Sequence, residues 1–278
     1  MAGRTIVITG ASDGIGAVAA RKLKADGENV VLVGRSPRKT QALADELHVP
    51  YFVADFAKLA DVRRLAADLR ARYPRIDVLA NNAGGIFGER TITEDGYEKN
   101  FQVNHLAPFL LTNLLLETLL ASRATVLNTA SIAAARYGQV DINDLNSEHG
   151  YKDERAYGSA KIDMILVSKE LHAKYHDRGL NVVAFHPGNI SSNFGGGSSW
   201  AAAYKNPLIK FVFMTSPEKA AKTLLHFIEG RPDVDWTSGE YYHLTKAPTA
   251  KQQHSQTKDP VLRAQVWDRS AHMAGIAA

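Results

Sequence analysis

Thr5-Ile6-Val7-Ile8-Thr9 runs directly into Gly10-Ala11-Ser12-Asp13-Gly14-Ile15-Gly16, and the helical pattern Ala17 to Lys24 follows. A β-branched strand, a glycine turn and a helix in that order belong to few architectures. The glycines allow a tight turn and close backbone approach. The amides that open the helix lack partners inside it and can hold a pyrophosphate. Gly10, Ser12, Asp13, Gly14, Ile15 and Gly16 are therefore candidate cofactor-binding residues. The spacing is GxxxGxG rather than the commoner GxGxxG, and taken alone the turn is also compatible with a glycine-rich surface loop.

The rest of the chain repeats the same alternation. Apolar, β-branched runs occur at Val30–Val33, Tyr51–Val53, Asp77–Ala80, Thr125–Leu127 and Asn181–Phe185, with a late strand expected at Gly239–Leu244. Their continuous apolar character, without in-out alternation, predicts strands buried on both faces, hence a parallel sheet covered by helices. The expected fold is α/β, a Rossmann-type doubly wound parallel sheet in three layers. It forms a single domain over residues 1–278, since no low-complexity linker divides the chain. Gly195-Gly196-Gly197-Ser198-Ser199 and the apolar stretch Trp200 to Phe213 predict a substrate lid within 191–216, before Pro217 restarts a helix. In the tail, 245–278, Asp259-Pro260 supplies an N-cap and a first-turn proline for a helix bearing Val261, Leu262, Val266 and Trp267.

Composition narrows the function classes. A net charge of +4 without a clustered basic stripe argues against nucleic acid and fits a phosphorylated small molecule. Without cysteine there is no disulfide framework and no thiolate nucleophile, and the histidines His105, His149 and His186 have no metal-ligand spacing; no metal is expected. No signal peptide is read before Thr5, and the longest apolar stretch, Leu106 to Leu120, is broken by Pro108, Thr112, Asn113 and Glu117. It reads as a buried helix and not a membrane span. The expected location is cytoplasmic.

Two further clusters suggest chemistry. The second strand ends Val33-Gly34-Arg35-Ser36, where an acidic residue would hold an adenosine ribose. Arg35, with Arg38 and Lys39 behind it, would instead grip a 2′-phosphate, favouring NADP(H) while leaving NAD(H) possible; the alternative is a solvated basic loop. Tyr157 and Lys161 stand at i, i+4 spacing on a helical pattern, so they share a face. A phenol with an ordinary pKa near ~10 exchanges protons poorly near neutrality, and a neighbouring ammonium favours its phenolate. Alone, the pair is also compatible with an exposed helix pair.

Taken together, the ordered motifs resemble the short-chain dehydrogenase/reductase family, in its branch with GxxxGxG and YxxxK. The resemblance covers nearly the whole chain: the glycine turn, Asp55, Asn81-Asn82-Ala83-Gly84, Asn104, Ser131, Tyr157 with Lys161, and Pro187-Gly188. It implies that Tyr157 is the acid in reduction and the base in oxidation, while Ser131 steadies the substrate oxygen. Lys161 would lower the Tyr157 pKa and bond the nicotinamide ribose, and Asn104 would hold a water linking Lys161 to solvent. Asp55 and Phe56 would meet the adenine, Asn82, Ala83 and Gly84 would lie along the cofactor, and Pro187, Gly188 and Ile190 would cover the nicotinamide. Ser192 stands where the family commonly has threonine. The stretch Tyr137 to Arg155, longer than usual, is similar to an insertion in retinol-dehydrogenase-like and protochlorophyllide-reductase-like members. The resemblance therefore implies a lipophilic alcohol or carbonyl substrate. Trp200, Tyr204, Leu208, Ile209, Phe211, Val212 and Phe213 would either wall its pocket or pack on the core or a second subunit. Monomer and homo-oligomer both remain open, and the competing function is a cofactor-binding regulator of the same fold without significant turnover.

Overall fold

The computed structural model describes residues 3–189 and 215–277. Ile190, Ser192, the apolar stretch Trp200 to Phe213 and almost all of the expected lid lie outside the described residues. In chain order the elements are β1 (Thr5–Thr9), α1 (Gly14–Ala25), β2 (Asn29–Gly34), α2 (Pro37–Leu47), β3 (Tyr51–Val53), α3 (Leu59–Arg72), β4 (Val78–Asn81) and α4 (Lys99–Phe101). They continue with α5 (Ala107–Leu114), α6 (Leu116–Ala121), β5 (Thr125–Thr129), α7 (Ala133–Arg136), α8 (Asp153–Tyr175), β6 (Asn181–His186), α9 (Pro217–Glu229), β7 (Tyr241–His243) and α10 (Pro260–Ala274).

The seven strands form one sheet in the order β3-β2-β1-β4-β5-β6-β7, every neighbouring pair parallel. Alternate side chains of each strand face opposite helical layers. Val7, Val31, Leu79, Val126 and Val182 enter one core with residues of α3, α5, α8 and α10. Ile6, Ile8, Val30, Leu32, Ala80, Leu127 and Val183 enter another with residues of α1, α2 and α9. Both faces are buried, which explains why the strands read as unbroken apolar runs.

The stretch Leu106–Leu120 is buried as expected but is not one helix. A π-helical turn at Gln102–Leu106 joins α4 to α5, and the chain breaks again at Leu115 before α6. Pro108 has no N–H to give to the carbonyl of Asn104 one turn back, so regular i to i−4 bonding cannot run through this point.

The tail folds onto this segment. Asp259 caps α10 by accepting from the amides of Val261 and Leu262, and the helix buries Leu262, Val266 and Trp267 while Val261 stays exposed. Trp267 meets Phe109 edge-on at 5.1 Å, and Ser270 Oγ lies 2.7 Å from His105 Nε2 within the π-turn. Trp267→Ala is therefore expected to cost about 3–5 kcal/mol of stability, read as a lowered urea midpoint.

The sheet order reverses between β1 and β4, opening a crevice at their C-terminal ends. The glycine turn, Arg35, Asp55, Asn82–Gly84, Ser131 and Pro187-Gly188 follow the ends of β1 to β6 in turn. The parallel topology thus delivers all of them to one edge.

Candidate active site

A cavity of about 640 Å³ runs along that edge. At one end lies the glycine turn. Gly10 has φ +65°, and a Cβ there would stand 2.8 Å from Ala83 Cα, so the left-handed turn and the close approach of the β4 loop both require glycine. Thr9 Oγ1 accepts from the amides of Asn82 and Ala83, each at 3.0 Å, and Asn82 Nδ2 donates to Thr9 O at 3.0 Å. These bonds lock the two loops into one cradle. Asp13 caps α1 through the Gly14 amide, and its other oxygen pairs with Lys39 at 2.7 Å. Arg35 and Ser36 line the cavity just before α2, whose positive end also faces it; Asp55 and Phe56 line it beside them. This shape and charge fit the phosphates and adenosine of a dinucleotide.

At the other end Ser131, Tyr157 and Lys161 line the same cavity. Tyr157 and Lys161 lie on one face of α8, with Nζ 5.6 Å from the phenol ring centre. Both are buried, at 4% and 3% exposure. Lys161 donates to Thr129 O at 2.8 Å, and burial pushes its ammonium down to about 7. Asn104 is wholly buried in the π-turn; its Oδ1 accepts from Gly85 N at 3.0 Å, and Nδ2 donates to Gly85 O and Asn100 O. A Cβ on Gly84 would fall 2.6 Å from Asn104 Oδ1 and 3.4 Å from Lys161 Nζ, so glycine is what allows these groups to converge.

Ser131 is held from two sides. Its Oγ accepts from the Ala133 amide at 3.1 Å, which leaves the hydroxyl hydrogen to donate into the cavity. The next amide, Ile132 N, donates to His186 Nδ1 at 3.2 Å. Burial and the charge of Arg136 help hold His186 down at about 3, so the ring is neutral with its proton on Nε2.

The inserted stretch buttresses the cavity wall. Tyr151 Oη donates to Gly88 O at 2.9 Å and accepts from Asn100 Nδ2 at 3.0 Å, while Asn100 Oδ1 accepts from Phe87 N. Asn146 Oδ1 accepts from the Glu98 amide, and the buried Glu98 carboxyl, raised by burial, caps α4 through Asn100 N and Phe101 N. The segment bearing Ile86 and Phe87, an apolar wall of the cavity, is thereby fixed. Beneath the site, Asn81 on β4 donates to Asn128 on β5 and to Thr112 on α5, and Asn128 donates to Ser168 on α8. This polar chain holds α5 and α8 at fixed heights against the strands.

Most of the expected residues meet in this cavity: Gly10, Ser12, Asp13, Gly14, Ile15, Arg35, Asp55, Phe56, Asn82, Ala83, Gly84, Ser131, Tyr157, Lys161, Pro187 and Gly188 all line it. Gly16 stands behind the turn, where a Cβ would meet Gly10 O at 2.5 Å, and Asn104 stands behind Gly84. Arg38 is exposed on α2 and is not among the residues that line the cavity, whereas Lys39 is. Arg136, Glu154 and His186 also line the cavity and were not expected there. Only contacts across distant segments reveal them, and no local motif carries that signal.

A family model described as short chain dehydrogenase matches residues 4–200. A protein provisionally named daunorubicin C-13 ketoreductase, from Streptomyces sp. (strain C5), is 38% identical over 98% of this chain and 93% of its own. Human retinol dehydrogenase 13 is 34% identical over 99% of this chain and 86% of its own. Among solved structures, the RhlG/NADP active-site complex of Pseudomonas aeruginosa superposes with a TM-score of 0.69 at 25% identity, covering 88% of this chain and 95% of that one.

Proposed function

The chain belongs to the short-chain dehydrogenase family, whose chemistry is alcohol–carbonyl oxidoreduction, and from that premise we propose an NADP(H)-dependent enzyme acting on a lipophilic alcohol or carbonyl. The observation that carries this reading is the meeting of Ser131, Tyr157 and Lys161 at one end of a cavity whose other end is a glycine cradle. A bound nicotinamide would supply the hydride in reduction and accept it in oxidation. Tyr157 Oη gives its proton to the substrate oxygen as negative charge grows there, and takes it back in the reverse direction. Ser131 donates its free hydroxyl hydrogen to the same oxygen. Lys161, when charged, stabilises the Tyr157 phenolate, and Asn104 fixes the Gly84-Gly85 backbone against which Lys161 is placed. Gly10 through Ile15 would hold the pyrophosphate, and Pro187 and Gly188 would meet the nicotinamide; Ile190 and Ser192, given the same role from the sequence, lie outside the described residues.

The preference for NADP(H) rests on Arg35, aided by Lys39 and the positive end of α2. Arg35→Ala is expected to lower the ratio of NADPH to NADH affinity by about tenfold, as one charge-assisted bond implies. Fluorescence titration with both cofactors reads this directly, and an unchanged ratio contradicts the assignment. The apolar wall of Ile86, Phe87, Ile132 and Ala133 supports the lipophilic substrate, as do relatives named for retinol and polyprenol. Among the described residues no helix is long and apolar enough to cross a membrane. We assign the protein to the cytoplasm, a placement that its cysteine-free composition supports.

A further inference from the structure

Arg136 ends α7, five residues beyond Ser131, and lines the cavity on the side away from the glycine turn. It is exposed, and none of the ion pairs among the described residues includes it. The stretch 190–214, outside the described residues, contains no Asp or Glu, so it brings no side-chain carboxylate to pair with Arg136 either. The nearby rings of His186 and His243, tilted against each other with centres 4.8 Å apart, are both held below their ordinary pKa by burial, with the Arg136 charge contributing. The other charged groups of the cavity have their own places. Arg35, Asp55 and the Asp13–Lys39 pair lie at the adenosine end, Lys161 bonds Thr129, and the Glu154 carboxyl bonds that of Asp153. An unneutralised guanidinium therefore stands at the catalytic end of a largely apolar cavity, where its planar fork matches a carboxylate.

We propose that Arg136 is a substrate-recognition residue, and that the preferred alcohol or carbonyl substrate carries a carboxylate held by its guanidinium. This rests on the oxidoreductase reading above and narrows it: the substrate has an apolar body and one anionic group. Most of the substrate's area meets Ile86, Phe87 and Ala133, and the carboxylate sets which end faces Arg136.

The test compares 4-carboxybenzyl alcohol with its methyl ester, titrated calorimetrically into the protein saturated with NADP⁺. The wild type is expected to bind the acid about tenfold more tightly than the ester, the preference weakening with added salt. In Arg136→Ala the preference falls to about one, and in Arg136→Lys part of it survives, because the charge remains and the fork is lost. Equal binding of acid and ester by the wild type, failure to bind the acid, or a preference unchanged in Arg136→Ala overturns the proposal. Turnover of 4-formylbenzoate with NADPH, measured beside the titration, separates the two claims. Acid-selective binding that depends on Arg136 without turnover leaves this site standing and removes the oxidoreductase reading. Turnover without acid preference does the reverse.

Discussion

Replacing Tyr157 with Phe is expected to lower carbonyl reduction by about a thousandfold or more while cofactor affinity largely survives. Phenylalanine keeps the buried ring and its contact with the Lys161 Nζ 5.6 Å away, so α8 packs as before. Only the hydroxyl that exchanges the proton is lost. The glycine cradle, Arg35 and Asp55 lie on other loops and keep their geometry, so NADPH binding is held apart from chemistry. Measuring kcat and the NADPH dissociation constant on the same preparation checks both halves. A variant that retains turnover contradicts the role given to Tyr157, and one that loses binding as steeply as turnover shows that the ring was needed for structure.

Replacing Lys161 with Met is expected to abolish turnover and yet raise the stability of the cofactor-free protein. Burial lowers the Lys161 pKa from 10.5 to about 7, so the folded state releases a proton that the unfolded chain keeps. Between those values the unfolded state binds more protons, and stability therefore rises with pH through that window. Below about pH 7 both states are protonated and the full cost of burying the ammonium is present. At roughly 1.4 kcal/mol per pK unit, that cost is a few kcal/mol. Methionine keeps the apolar stem and removes the charge, sacrificing the bond to Thr129 O. The variant's melting temperature should exceed that of the wild type most at pH 6 and least at alkaline pH. A melting temperature below the wild type at every pH would show that the bond to Thr129 outweighs desolvation. The same titration bears on catalysis, because near neutrality Lys161 of the free protein populates both charged and uncharged forms.

The strands were legible because a parallel sheet covered on both faces demands uninterrupted apolar residues. Each expected run, from Ile6–Ile8 to the late one around Tyr241, became a strand of the sheet. The cradle was legible because its chemistry is local: a strand end, a left-handed Gly10 and a helix start must be contiguous. Less was visible where distant segments combine. The stretch Leu106–Leu120 reads as one helix by hydrophobicity, but Pro108 and the π-turn that precedes it divide the segment differently, and this sets where Asn104 points. His105 reads as an ordinary polar residue until α10 brings Ser270 to it across 165 positions. Arg35 and Arg38 look equivalent in a basic cluster, yet Arg35 and Lys39 line the cavity and Arg38 does not. Arg136 had no motif at all, and only its position beside His186 and Ser131 gives it meaning.

The central question is whether this cavity moves a hydride or only holds a cofactor. The decisive measurement follows NADPH oxidation by the purified chain across a panel of aromatic, isoprenoid and carboxylate-bearing aldehydes and ketones, with the alcohol product quantified. The predicted result is NADPH consumption matched one for one by alcohol, and absent in Tyr157→Phe. Tight NADPH binding without consumption across the whole panel would contradict it, and would make the chain a cofactor-responsive regulator built on the same fold.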